Sequence, residues 1–172
     1  MTKKTVWRIV ALLLTALWMF FIYRMSAADA EESTDMSMSV GYTVGMLVVD
    51  EFETLPPDTQ DAYVARIDHP VRKTAHFMEY TILGILISLD ILLFTGLSPV
   101  IRLLLSWVLG VAYAFTDEFH QLFVSGRSGQ ITDVLIDGSG VLLGCLLVLG
   151  VTKLWHFGMR NENREGNLPI SD

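Results

Sequence analysis

The sequence predicts an all-α membrane protein, a bundle of four transmembrane helices with an external, partly helical loop after the first span. Two observations carry this. Hydrophobic residues make up 52% of the chain against 18% charged, and the mean hydropathy is +0.46, a balance foreign to soluble domains. Four apolar runs of bilayer-crossing length are also separated by polar or turn-forming segments. A third feature concerns function. Ionisable residues break the runs in three clusters, His76 with Glu79, then Asp117, Glu118 and His120, then Asp133 and Asp137. Charges in such positions are expensive and read as functional by default.

The first run extends from Val6 to Tyr23, with Lys3, Lys4 and Arg8 before or at its start. A cleaved signal and a retained anchor share that pattern, and Ala28-Asp29-Ala30 resembles a small-residue cleavage site. The length of the run and its bulky Trp18, Phe20 and Phe21 favour a retained anchor over residues 1–23. Residues 24–71 then read as an acidic extracytoplasmic loop broken at Pro56-Pro57. Two stretches in it predict amphipathic helices, Val40 to Phe52 and Asp58 to Arg72, the latter capped by Asp58 or Asp61. Both are too polar to span.

The second span is expected from about Thr74 to Phe94, placing Asp90 near the inner interface, and Thr95-Gly96-Leu97-Ser98-Pro99 ends it. The third runs from around Ile101 to Phe119. After Ser125-Gly126-Arg127-Ser128-Gly129 the fourth covers Ile131 to Leu154, so residues 72–155 form a three-span core and 156–172 a polar cytoplasmic tail. With the amino terminus inside, Lys3, Lys4, Arg8, Arg102, Lys153, Arg160 and Arg164 are cytoplasmic, against Arg24, Arg66, Arg72, Lys73 and Arg127 outside. Both termini are then cytoplasmic, and all three polar clusters reach the outer side.

The net charge of −7 reports the acidic stretch from Asp29 to Asp68, and no basic run suits a phosphate backbone, so nucleic acid is not an expected partner. The single cysteine, Cys145, lies in an apolar run and reads as packing. Ser125 and Ser128 belong to a turn, which argues against a hydrolase triad.

Helical spacing groups the polar residues by face. Arg72, His76, Glu79 and Tyr80 form one patch above Gly84 and Ser88. Asp117, His120 and Gln121 form another above Gly110 and Ala114, with Glu118 turned away, and Asp133 and Asp137 lie above the GxxxG pair Gly140 and Gly144. Small residues let membrane helices approach closely, so the three spans are expected to pack through these stems around one pocket.

The strings Arg72-Lys73-Thr74-Ala75-His76-Phe77-Met78-Glu79-Tyr80 and Thr116-Asp117-Glu118-Phe119-His120-Gln121, with Gly126-Arg127, Asp133 and Asp137, closely resemble the VanZ-like family of bacterial membrane proteins. The order and spacing also match, from about the first span to the fourth. The resemblance implies a multi-pass protein of the bacterial plasma membrane. Because the founding member is associated with low-level resistance to teicoplanin, a glycopeptide with a fatty acyl chain, without comparable resistance to vancomycin, it also implies tolerance to lipoglycopeptides.

Three readings of the polar set stand side by side. Arg72, Lys73 and Arg127 could pair with Glu79, Asp117, Glu118, Asp133 and Asp137 as a latch that fixes helix register. His76, Glu79, Asp117 and His120 could hold a divalent metal ion, with Asp137 across the bundle. Alternatively His76, Glu79, Asp117, Glu118, His120 and Asp137 supply acid/base groups without metal, while Arg72, Lys73, Gln121, Arg127 and Asp133 bind ligand. The corresponding functions are binding of an amphiphilic or lipid-linked envelope molecule, or a lipoglycopeptide, beside the bilayer, and an enzyme that modifies such a substrate.

Overall fold

The structure, a computed structural model, describes residues 1–165. Five helices follow one another: α1 Lys3–Ser26, α2 Ala30–Val48, α3 Pro57–Phe94, α4 Pro99–Gln121 and α5 Ile131–Glu165. Four of them are long and apolar enough to cross a membrane: α1, α3, α4 and the part of α5 up to Trp155. The predicted fold class holds.

Helix α1 opens on Thr2, whose hydroxyl accepts from the Thr5 N–H at 3.2 Å. It is seated in the bundle. Thr15 donates to Asp90 at 2.7 Å, the Trp18 indole donates to the Glu79 carbonyl at 2.9 Å, and Ile22 and Ser26 are buried.

Helix α2 differs from the expected Val40–Phe52 helix, starting ten residues earlier at Ala30 and ending at Val48. Asp29 caps it by accepting from the Glu32 N–H at 2.9 Å, and Glu31 and Glu32 in the first turn complement the helix dipole. Its buried stripe is Ser33, Ser37, Gly41 and Gly45. These residues are small rather than apolar, so hydrophobic periodicity did not show the face. A Cβ at Gly45 would overlap the Phe52 ring, which closes the end of α2 from the short 3₁₀ turn Phe52–Thr54.

Helix α3 joins the second predicted amphipathic helix to the second span without a break. Pro57 occupies its first turn, where no N–H is needed, so neither Asp58 nor Asp61 is the cap. Pro70 removes one ladder bond inside the helix. Side chains from α2 brace that region: Ser37 donates to Asp68, and Tyr42 to Asp61. At 38 residues α3 is roughly 57 Å long, about twice the hydrocarbon thickness. Its first half therefore projects beyond the bilayer, and α2 packs on that half.

The small-residue stems meet as expected. Cβ atoms at Gly140 and Gly144 would overlap the Phe77 and Thr81 carbonyls of α3, and one at Gly84 would overlap the Val141 backbone of α5. Gly110 of α4 receives the Val141 side chain, and Ser88 and Ala114 are buried beside these contacts. Helix α5 continues to Glu165, so the segment expected as a polar tail begins as helix, and 166–172 lie outside the described residues. At the end of the bundle away from the three clusters, Arg102 is 6% exposed and donates to Thr152 at 3.3 Å. The sequence had assigned it only to orientation.

Candidate functional site

Chain direction alone gathers the clusters. Helices α1 and α4 run toward one end of the bundle, α5 starts there, and α3 passes through with residues 72–80. A chamber of about 140 Å³ lies between α3, the last turn of α4, the α4–α5 loop and the start of α5. Arg72, Lys73, His76, Gln121, Arg127, Asp133 and Asp137 line it. The loop is shaped by Gly126, whose φ of 71° suits glycine, and by Glu118, which accepts from the Gln130 N–H at 2.9 Å. Glu118 therefore holds the loop that carries Arg127 and does not line the chamber.

Ion pairing in this region is sparse. Lys73 pairs with Asp133, both about three-quarters buried. Arg72 pairs at 2.6 Å with Asp68, one turn earlier on its own helix, and lies 3.5 Å from the Thr34 hydroxyl of α2. Of the expected latch, only the Lys73–Asp133 link forms among the described residues. Arg127 makes one long hydrogen bond, 3.4 Å to the Ala28 carbonyl, and no ion pair among the described residues. Burial, then the neighbouring Arg72 guanidinium, pulls the Arg127 pKa below its usual value.

The unsatisfied atoms are more informative. Asp137 is 1% exposed and neither carboxylate oxygen has a hydrogen-bond partner. Gln121, 3% exposed, has a free Nε2, and Arg72 Nε and His76 Nδ1 are likewise buried and unbonded. Behind the chamber, Ser26, Tyr80 and Gln121 face Asp117, yet Asp117 Oδ2, Ser26 Oγ and the Tyr80 hydroxyl make no hydrogen bond as placed. Buried polar groups are normally paired, and the unbonded ones here are gathered at one end of the bundle.

His76 Nδ1 stands 3.9 Å from Glu79 Oε2. The His120 ring packs 5.0 Å from that of Tyr23 on α1, away from the chamber its face was expected to serve. Among the described residues no three His, Cys, Asp or Glu side chains are grouped to hold a metal ion. The four expected ligands His76, Glu79, Asp117 and His120 do not converge, and only His76 and Glu79 approach each other directly.

A second cavity, about 540 Å³, runs between α2 and α3 and is lined by Met36, Val40, Val44, Ile67, Val71 and Met78 among others. Glu79 lies on its wall, and Arg72, His76 and Arg127 border both cavities. Sequence reading missed this groove along with the residues that fix Arg72. The usable signals were the i, i+4 spacing of Asp68 and Arg72 and the i, i+4 run of small residues from Ser33 to Gly45.

No curated protein and no solved structure matches the chain. The family model described as VanZ/LLP1 matches residues 11–155, which takes in α1 from residue 11 onward, the whole of α2, α3 and α4, and the membrane-spanning part of α5. The chain belongs to the VanZ/LLP1 family.

Proposed function

We propose that the protein sits in the bacterial plasma membrane with both termini cytoplasmic, binds an amphiphilic or lipid-linked envelope molecule at the outer leaflet, and thereby lowers sensitivity to lipoglycopeptides such as teicoplanin. One observation carries the binding reading: an apolar groove and a polar chamber share Arg72, His76 and Arg127 as their common border. That layout takes a molecule with an acyl tail and a polar head. It also rationalises a distinction between an acylated glycopeptide and one without a chain. Expression in a susceptible bacterium tests it: teicoplanin sensitivity falls, vancomycin sensitivity does not, and Asp137→Leu removes the difference. Unchanged teicoplanin sensitivity with well-expressed protein overturns the resistance role.

A second reading rests on Asp117 and the unbonded carboxyl group of Asp137 near the His76–Glu79 pair. Histidine and carboxylates in a water-poor site suit general acid and base roles on a lipid-linked substrate. A divalent ion on His76, Glu79, Asp117 and His120 would require these side chains to draw together on binding. Metal content of the purified protein, compared with His76→Ala and Glu79→Gln, tests the metal form. Stoichiometric metal lost in both variants supports the enzyme, and its absence from well-folded protein favours the latch or binding reading.

A further inference from the structure

The chamber is too small for the head of a glycopeptide. At about 140 Å³ it has room for on the order of ten water-sized probes, enough for one compact polar group and little more. The groove, at about 540 Å³, is in the range of a site for one small molecule. Its lining includes Met25, Met36 and Met78, flexible side chains that adapt to a chain of varied shape. A lipoglycopeptide could place only its tail here, so the head the chamber is built for belongs to a smaller amphiphile.

The unbonded groups describe that head. Around it stand groups from three separate elements: Arg72 on α3, whose Nε is unbonded, Gln121 on α4, which also faces Asp117, and the Arg127 guanidinium on the loop, which forms no ion pair among the described residues. Several donors converging from guanidinium and amide groups match the oxygens of a phosphate. Asp137 also lines the chamber, and both of its carboxyl oxygens are unbonded. Asp133 also lines the chamber but is held by Lys73. A phosphate that carries a hydroxyl-bearing substituent would present a donor to Asp137.

We infer that the site takes a phospholipid-type amphiphile, its acyl chain in the α2–α3 groove, its phosphodiester between Arg72, Gln121 and Arg127, and a head-group hydroxyl on Asp137. This deepens the amphiphile reading above and rests on it. One molecule fills the chamber and the groove because Arg72 and Arg127 border both, and the ligand supplies the partner that Asp137 lacks.

The test is calorimetric titration of the full chain in phosphatidylcholine nanodiscs, with empty nanodiscs as the blank. Three probes share a twelve-carbon chain: dodecyl phosphoglycerol, dodecyl phosphocholine, which has no head-group donor, and dodecyl glycerol, which has no phosphate. The phosphoglycerol is expected to bind at least about tenfold more tightly than either of the others. Arg127→Gln brings it down to the level of dodecyl glycerol, Asp137→Leu to that of the phosphocholine, and Ala75→Trp, filling the groove from an exposed position, weakens all three. Equal affinity of the wild-type protein for the three probes overturns the head assignment, and Ala75→Trp then still weakens them if the amphiphile reading stands. Absence of binding by all three removes both. Displacement of the phosphoglycerol by millimolar inorganic phosphate also overturns the assignment, since it would mark a site for the free anion.

Discussion

Asp137 is the residue on which the latch and the binding site part company. A carboxylate that is 1% exposed with both oxygens unbonded does not stabilise the bundle as it stands. Asp137→Asn, which removes the ionisable group and keeps the shape, is therefore expected to leave the thermal midpoint of the purified protein unchanged or to raise it by a few degrees. Had Asp137 been the buried half of an ion pair, breaking that pair would lose about 3–5 kcal/mol, roughly ten degrees or more in a chain of this length. A fall of that size in a melting scan would restore the latch. Lys73→Met offers the contrast. It breaks a formed but partly exposed pair with Asp133, so a loss of about 1 kcal/mol or less is expected, read as a shift of a few degrees at most. The identities of these residues were legible in the sequence, because ionisable groups at the ends of apolar runs are conspicuous. Their partners were legible only in part: the i, i+4 spacing carries the pairing of Arg72 with Asp68 on its own helix, whereas Glu118 reaches across the loop to the Gln130 N–H, which no local spacing shows.

At the scale of elements, the contact between α3 and α5 rests on glycine. A Cβ at position 144 would overlap both the Thr81 carbonyl and the Ile85 amide, main-chain atoms that cannot swing aside. Gly144→Ala should force the helices apart at a loss of about 1–3 kcal/mol, visible as a midpoint several degrees lower. Gly150→Ala, on the same helix with nothing within 4 Å of the added carbon, should be neutral or slightly stabilising. Equal effects of the two would refute close packing as the role of these glycines. The stems were legible because small residues recurred at helical spacing beneath each polar head. Helix α2 was only half legible, since its buried stripe of Ser33, Ser37, Gly41 and Gly45 carries almost no hydrophobic signal, and its true start lay in the Asp29 cap. The fusion of two predicted helices into α3 was hidden by the change from polar to apolar sequence between Arg72 and Thr74, which reads as a boundary although the helix runs through it, and α2 braces the polar half at Asp61 and Asp68.

For the whole molecule, four crossings place the amino terminus and the chamber at opposite ends of the bundle. Arg8, which donates to the Leu93 carbonyl at 2.9 Å, and the buried Arg102 both belong to the end far from the chamber. The positive residues divide seven to five in favour of that end being cytoplasmic. Three of the five on the other side, Arg72, Lys73 and Arg127, line the chamber, so their position follows from the site rather than from membrane insertion. Removing them from the count leaves seven against two, and the orientation argument gains accordingly. The single native cysteine is 1% exposed, which makes surface labelling free of background. Ser128→Cys, at an exposed position in the chamber loop, should react with a membrane-impermeant maleimide in intact cells, whereas Lys4→Cys should react only after lysis. The reverse pattern would put the chamber in the cytoplasm. A ligand in the outer leaflet could then no longer reach Arg127, and binding would have to be sought among cytoplasmic-leaflet lipids.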